Sequence, residues 1–173
     1  MAGSLEFIKS VAESSSVTFV DITNCFSADY DVYVLSFADV DLAGAGDENM
    51  NIRLLDSGGS PISQNEYDYA DLILRYASSF TELNDTSSAE FTFGAGYVSA
   101  ANMGAGGLIG YFYSPFNSSS YTFFHHQQSN SQGHSGQKYI GVHKSSEQIT
   151  GIRIFVDNGT IERLGASVYG VKG

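Results

Sequence analysis

The chain has 173 residues, which suits one domain with its own core and leaves too little for two. Its formal net charge of -11 opposes attraction to phosphate backbones, so DNA and RNA binding are not expected. The single cysteine, Cys25, excludes an intrachain disulfide and a thiolate metal cluster, and reads as a small buried hydrophobe.

Aromatic residues make up 13% of the chain, as 11 Tyr and 12 Phe with no Trp, beside 19 Gly and only 2 Pro. Aromatics suit a pleated, half-buried surface and glycines serve frequent turns, so the composition points to β structure. No window of ten or more residues holds a helical period. The opening MAGSLEFIKS lacks a basic leader followed by an apolar core, and no run approaches the roughly 20 apolar residues of a membrane helix. The expectation is a protein made in a cytoplasm, with no membrane partner.

Residues 5–11 predict a first strand whose apolar phase shifts at Ile8, as an edge strand would. A serine turn at 14–16 leads to a strand over 17–22, and a loop over 24–29 leads to the longest early strand, 30–40, read as central and buried. Residues 41–49 are small and acidic and read as a surface connection; 50–55 alternate as a strand, and Asp56-Ser57-Gly58-Gly59 is a turn. Residues 60–66 read as irregular. In YDYADLILRY, residues 67–76, helix and strand compete, and the alternation through Arg75 favours a strand.

The polar cluster over 78–88 reads as a loop, 90–93 as a short strand, and the Gly- and Ala-rich 94–107 as a long irregular crossing. LIGYFY (108–113) and YTFFHH (121–126) read as aromatic strands flanking a turn at Ser114-Pro115-Phe116-Asn117, and 129–137 as an exposed loop. Strands over 138–143, 149–156 and 164–169 complete the ladder. The last two, joined by Asp157-Asn158-Gly159, read as a closing β-hairpin, because Asn and Gly accept the positive φ of a tight turn. About ten short strands predict an all-β, jelly-roll-like antiparallel sandwich, a single domain over 1–173 with 1–13 as a docking arm or edge strand.

The ending ITGIRIFVDNG with LGASVYGVKG, the strand at Tyr30 to Phe37, the run MNIRLLDSGGS at 50–60 and the tyrosines at 67–69 resemble small jelly-roll virion proteins of tailed bacteriophages. That family includes head decoration or cement proteins and tail fibre or spike modules. The resemblance implies a non-enzymatic virion structural protein, most simply a capsid decoration protein that stabilises the head. Its partners would be further copies of itself, as a trimer, and the major capsid protein, with Leu5 to Val11 or the 94–107 loop as docking arms. The alternative is a receptor-binding module at a tail fibre tip, which would take a host glycan.

No catalytic, cofactor or metal residue is assigned. His125, His126, His134 and His143 fall within one third of the chain, but adjacent His125 and His126 on a strand point to opposite faces and cannot join one cluster. Asp39, Asp41, Asp47 and Glu48 offer hard oxygen ligands without the spacing of a calcium loop, and read as solvated surface acids. There is no Gly-x-Ser-x-Gly elbow, and the glycine-rich stretch lacks the Lys-Ser/Thr of a phosphate loop. Tyr111, Tyr113, Phe116 and Tyr121 offer ring faces to a sugar, set against the expectation that alternating aromatics fill the core. Asn84, Asn117 and Asn158 begin Asn-x-Ser/Thr triplets, which matter only in a secretory pathway.

Overall fold

A computed structural model describes residues 3–43, 49–75, 80–93, 106–130 and 135–173. Among them the regular structure is all strand: β1 Ser4–Glu13, β2 Phe19–Ile22, β3 Val32–Ala43, β4 Met50–Leu55, β5 Tyr67–Arg75, β6 Thr81–Ser88, β7 Phe91–Phe93, β8 Gly106–Tyr113, β9 Thr122–Asn130, β10 Ser135–His143, β11 Gly151–Val156 and β12 Thr160–Lys172. They form an eight-stranded sheet, ordered β1-β12-β3-β8-β9-β10-β5-β6, and a four-stranded sheet, ordered β2-β11-β4-β7. Among the described residues every ladder between these strands is antiparallel.

The connectivity is that of a jelly roll with an insertion. Set β5, β6, β9 and β10 aside and letter the others B to I in chain order; the two sheets then read B-I-D-G and C-H-E-F, the nested arrangement of two Greek keys. The four inserted strands extend the larger sheet beyond β8. The core lies between the sheets, where inward side chains of both interdigitate: Leu35, Phe112, Phe124 and Val168 from the large sheet, Ile22, Ile52, Ile154 and Phe91 from the small one. Aromatics therefore do fill the core, through the stacked pair Phe112–Phe124 with ring centroids 4.3 Å apart and the edge contact Tyr67–Phe91 at 4.8 Å.

Several expectations hold. β1 is an edge strand, and the phase shift at Ile8 is a bulge, since Phe7 pairs with Tyr169 but Lys9 already pairs with Val168. β3 is central, flanked by β12 and β8, and residues 67–75 form a strand. Three do not hold. Residues 149–170 are not a hairpin: β11 lies in the small sheet and β12 in the large one, so the Asp157-Asn158-Gly159 turn, with Gly159 at φ 114°, carries the chain across the sandwich. Residues 81–88 are not a loop but the edge strand β6, paired to β5. Residues 129–137 are not a loop throughout, because the β9–β10 ladder runs out to Ser135–Asn130, with Gln128 Nε2 donating to the Gln137 side chain inside it. Residues 44–48 and 94–105, part of two predicted connections, lie outside the described residues.

Candidate functional site

The two sheets present opposite kinds of outer surface. On the small sheet the outward side chains of neighbouring strands are charged and paired. Arg153 grips Asp21 through Nε and Nη2 at 2.7 and 2.8 Å, Arg53 holds Glu90 at 2.8 Å, and the two guanidiniums lie over the rings of Phe19 and Phe155 at 3.9 and 4.7 Å. The carboxylate beside it raises the Arg153 pKa further. This face is finished for contact with water.

The large sheet differs. Strict alternation buries Leu108, Phe112, Phe124, Tyr139 and Val168 on its inner side and turns their sequence neighbours outward. The antiparallel registers align those neighbours into one cross-strand row, Phe7–Tyr169–Val34–Tyr111–His125–Ile140–Ala70, which crosses seven strands from β1 to β5. Beside it Val32, Tyr113, Phe123 and Val142 are paired in a second row, with Leu5 and Val171 paired at the β1 edge. The rows are well exposed towards their ends, with Phe7 at 62%, Leu5 at 59%, Ile140 at 60% and Phe123 at 45%, while Tyr169, Tyr111 and His125 are half-buried and Val34, between the tyrosines, is covered at 7%. From β1 to β10 the first row spans five strand spacings, about 24 Å at about 4.8 Å each.

His125 anchors the middle of the band. It stacks against Tyr111 and Tyr113, at centroid distances of 4.9 and 5.4 Å, and its Nδ1 shares a 3.0 Å hydrogen bond with the Tyr113 hydroxyl. The three rings thus spend part of their faces on one another. A groove of about 640 Å³ runs alongside, lined by Tyr111, His125, Ile109, Gln127 and Ser129 among others.

The remaining predicted residues scatter. His126 faces inward, stacked on Tyr139 at 4.7 Å, and burial pushes its pKa down to about 3; as expected, it cannot act with His125. His134, Asp47 and Glu48 lie outside the described residues. Asp39 is a surface acid, 61% exposed, and both it and the more covered Asp41 pair with Arg163, at 3.0 and 3.3 Å. Phe116 is half-buried against the core and Tyr121 is exposed, away from the band's paired rows. Cys25 is buried, donates to the Ile22 carbonyl at 3.3 Å, and has its thiol pushed up to about 12 by burial. His143 is fully buried at the end of β10, where its Nε2 meets two carboxylates, Glu66 and Glu147. Sequence reasoning passed over both acids; the only local signal was the His-x-x-x-Glu spacing of 143 and 147.

Fold and surface together define a jelly-roll β-sandwich with one charged and one apolar outer face. No family model and no curated protein matches the chain. Among solved structures it is similar to a protein of unknown function from Shewanella oneidensis MR-1, at 10% identity, covering 97% of this chain and 79% of that one, with a TM-score of 0.27, too low to carry an argument.

Proposed function

We propose that this chain is a non-enzymatic structural protein of a bacteriophage virion, a capsid decoration protein that assembles with copies of itself through the apolar face of its large sheet. The observation that carries the assembly half of this reading is the row of outward aromatic and aliphatic side chains from Phe7 to Ile140, exposed at both ends and closed over Val34 by its tyrosine neighbours. A monomer exposes single apolar residues everywhere, but outward apolar side chains aligned across neighbouring strands, reaching the β1 edge and bounded on the other side by the polar β6, mark a contact surface. Specific interfaces bury about 800 Å² per partner, and a band about 24 Å long is of the scale that fills the centre of one. The occupant that fits is another copy of this chain. The band is built from neutral side chains, so it is the part of a molecule of charge -11 where two copies can approach without opposing charge.

The virion half rests on the resemblance together with the jelly-roll connectivity. The edge strand β1, with Leu5 and Phe7 outward, is the arm through which the assembly would reach the major capsid protein. A tail-fibre receptor-binding module is the second reading, favoured by the groove beside Tyr111 and His125, where amide and hydroxyl groups adjoin aromatic rings. The ring stacking weighs against it, because a sugar platform needs a free ring face and His125 covers one face of each tyrosine. The copy number of the chain in purified particles, measured by mass spectrometry against the major capsid protein, separates the readings. Hundreds of copies support decoration, a handful moves the chain to the tail, and absence removes the virion reading.

A further inference from the structure

Glu66, His143 and Glu147 meet at one corner of the sandwich. Strand pairing brings the first two together, because His143 closes the β10 ladder opposite Tyr67, and the Lys144 amide then donates to the Glu66 carbonyl at 2.8 Å. Glu147 arrives one short segment later. The His143 Nε2 lies 3.4 Å from Glu66 Oε2 and 3.7 Å from Glu147 Oε1, and all three ligand atoms fall within 4.8 Å of one another.

The histidine is what separates this cluster from ordinary surface acids. Its side chain is fully buried, and among the described residues neither ring nitrogen has a partner at hydrogen-bond geometry. A buried polar atom without a well-formed hydrogen bond is costly, and this Nε2 has only the long approaches of two carboxylates that are themselves still reached by solvent, at 39% and 33% exposure. The Tyr67 ring packs on the imidazole at 4.8 Å and is fixed in turn, its hydroxyl accepting from the Leu54 amide and donating to the Ile62 carbonyl, both at 3.1 Å. The ring orientation is therefore locked by the core. Two carboxylates face one imidazole at the corner. The nearby cation Lys144 is engaged with Asp68 at 2.7 Å.

We propose that Glu66, His143 and Glu147 form a site for one divalent transition-metal cation of the zinc class, with the imidazole Nε2 and one oxygen of each carboxylate as protein ligands and water completing the shell. Ligand atoms about 2.1 Å from a tetrahedral ion stand about 3.4 Å apart, close to the histidine–carboxylate spacings of 3.4 and 3.7 Å, with the two carboxylates within 4.8 Å of each other. One nitrogen with two oxygens suits zinc or manganese better than calcium, which takes a shell of oxygens alone. The ion would satisfy the buried nitrogen and tie the 144–150 segment to the start of β5.

The test is calorimetric titration of the full chain with Zn²⁺ alone, with the melting temperature followed with and without the ion. The expected result is one ion per chain and a raised melting temperature. Glu66→Gln and Glu147→Gln, at partly exposed positions that leave the core intact, each lower the affinity at least ten-fold, while Glu82→Gln, an exposed carboxylate of β6, leaves it unchanged. Absence of saturable one-to-one binding overturns the proposal. So does equal binding by the double variant Glu66→Gln/Glu147→Gln, which would place the ion elsewhere.

Discussion

The imidazole of His126 sits inside the sandwich between aromatic neighbours, Phe124 at 5.3 Å and Tyr139 at 4.7 Å, and stays neutral because burial holds its pKa near 3. Its free value is about 6.5, so between pH 6.5 and 3 the unfolded chain takes a proton that the folded chain refuses. The contribution is fully present above pH 6.5 and is lost as the pH falls through that window. From pH 6.5 to 5, where most carboxylates remain ionised, the loss is about 2 kcal/mol for this one residue. Urea midpoints at the two pH values measure it; His126→Phe should flatten the slope, and an equal slope in the variant would assign the loss elsewhere. At this scale the sequence was informative where chemistry is local. Alternation separated His125 from His126, and an isolated cysteine beside apolar residues proved buried. It was silent where chemistry is assembled over distance. Glu66 meets His143 only because β5 and β10 pair, and nothing in either segment announces the other. Asp39 and Asp41 likewise find Arg163 only through the β3–β12 ladder.

Gly151, the first residue of β11, shows how tightly the small sheet is joined. A Cβ there would stand 2.4 Å from the Ile22 carbonyl oxygen and 3.1 Å from the Thr23 Cα, so the obstacle is backbone and cannot rotate aside. Gly151→Ala should separate β11 from β2 and cost about 1–3 kcal/mol, the usual penalty for overpacking. Gly173→Ala, with nothing nearby, is the control; matching denaturant midpoints for the two variants would refute this account of the β2–β11 junction. Strands with a buried face were legible because burial imposes a period of two, as in β8 and β9. β6 was not, because nearly all of TELNDTSS is exposed and leaves no apolar trace; it holds its place by pairing with β5 and ends the sheet with a polar edge. The apparent hairpin failed for another reason. Asn-Gly specifies that the chain turns, but partner choice is set by which sheet buries each strand, and β11 and β12 bury theirs from opposite sides of the core.

The molecule as a whole is asymmetric. Its small sheet ends in ion pairs and guanidinium–ring contacts, and its large sheet ends in a row of aromatic and aliphatic side chains contributed by strands as distant in sequence as β1 and β10. The jelly roll was legible from the number and spacing of strands, but this face was not. Tyr111, Phe123 and Ile140 look like ordinary members of alternating strands, and only the registers reveal that they fall side by side. That band is the basis for the proposal that the chain assembles with copies of itself. Light scattering coupled to size exclusion, applied to the full chain and to Tyr111→Lys/Ile140→Lys, tests it most directly. The account predicts a multiple of the 18.6 kDa chain mass, three-fold for a trimer, falling to the monomer in the variant while the circular dichroism spectrum is kept. A wild-type monomer, or an oligomer that the two lysines leave intact, would contradict it.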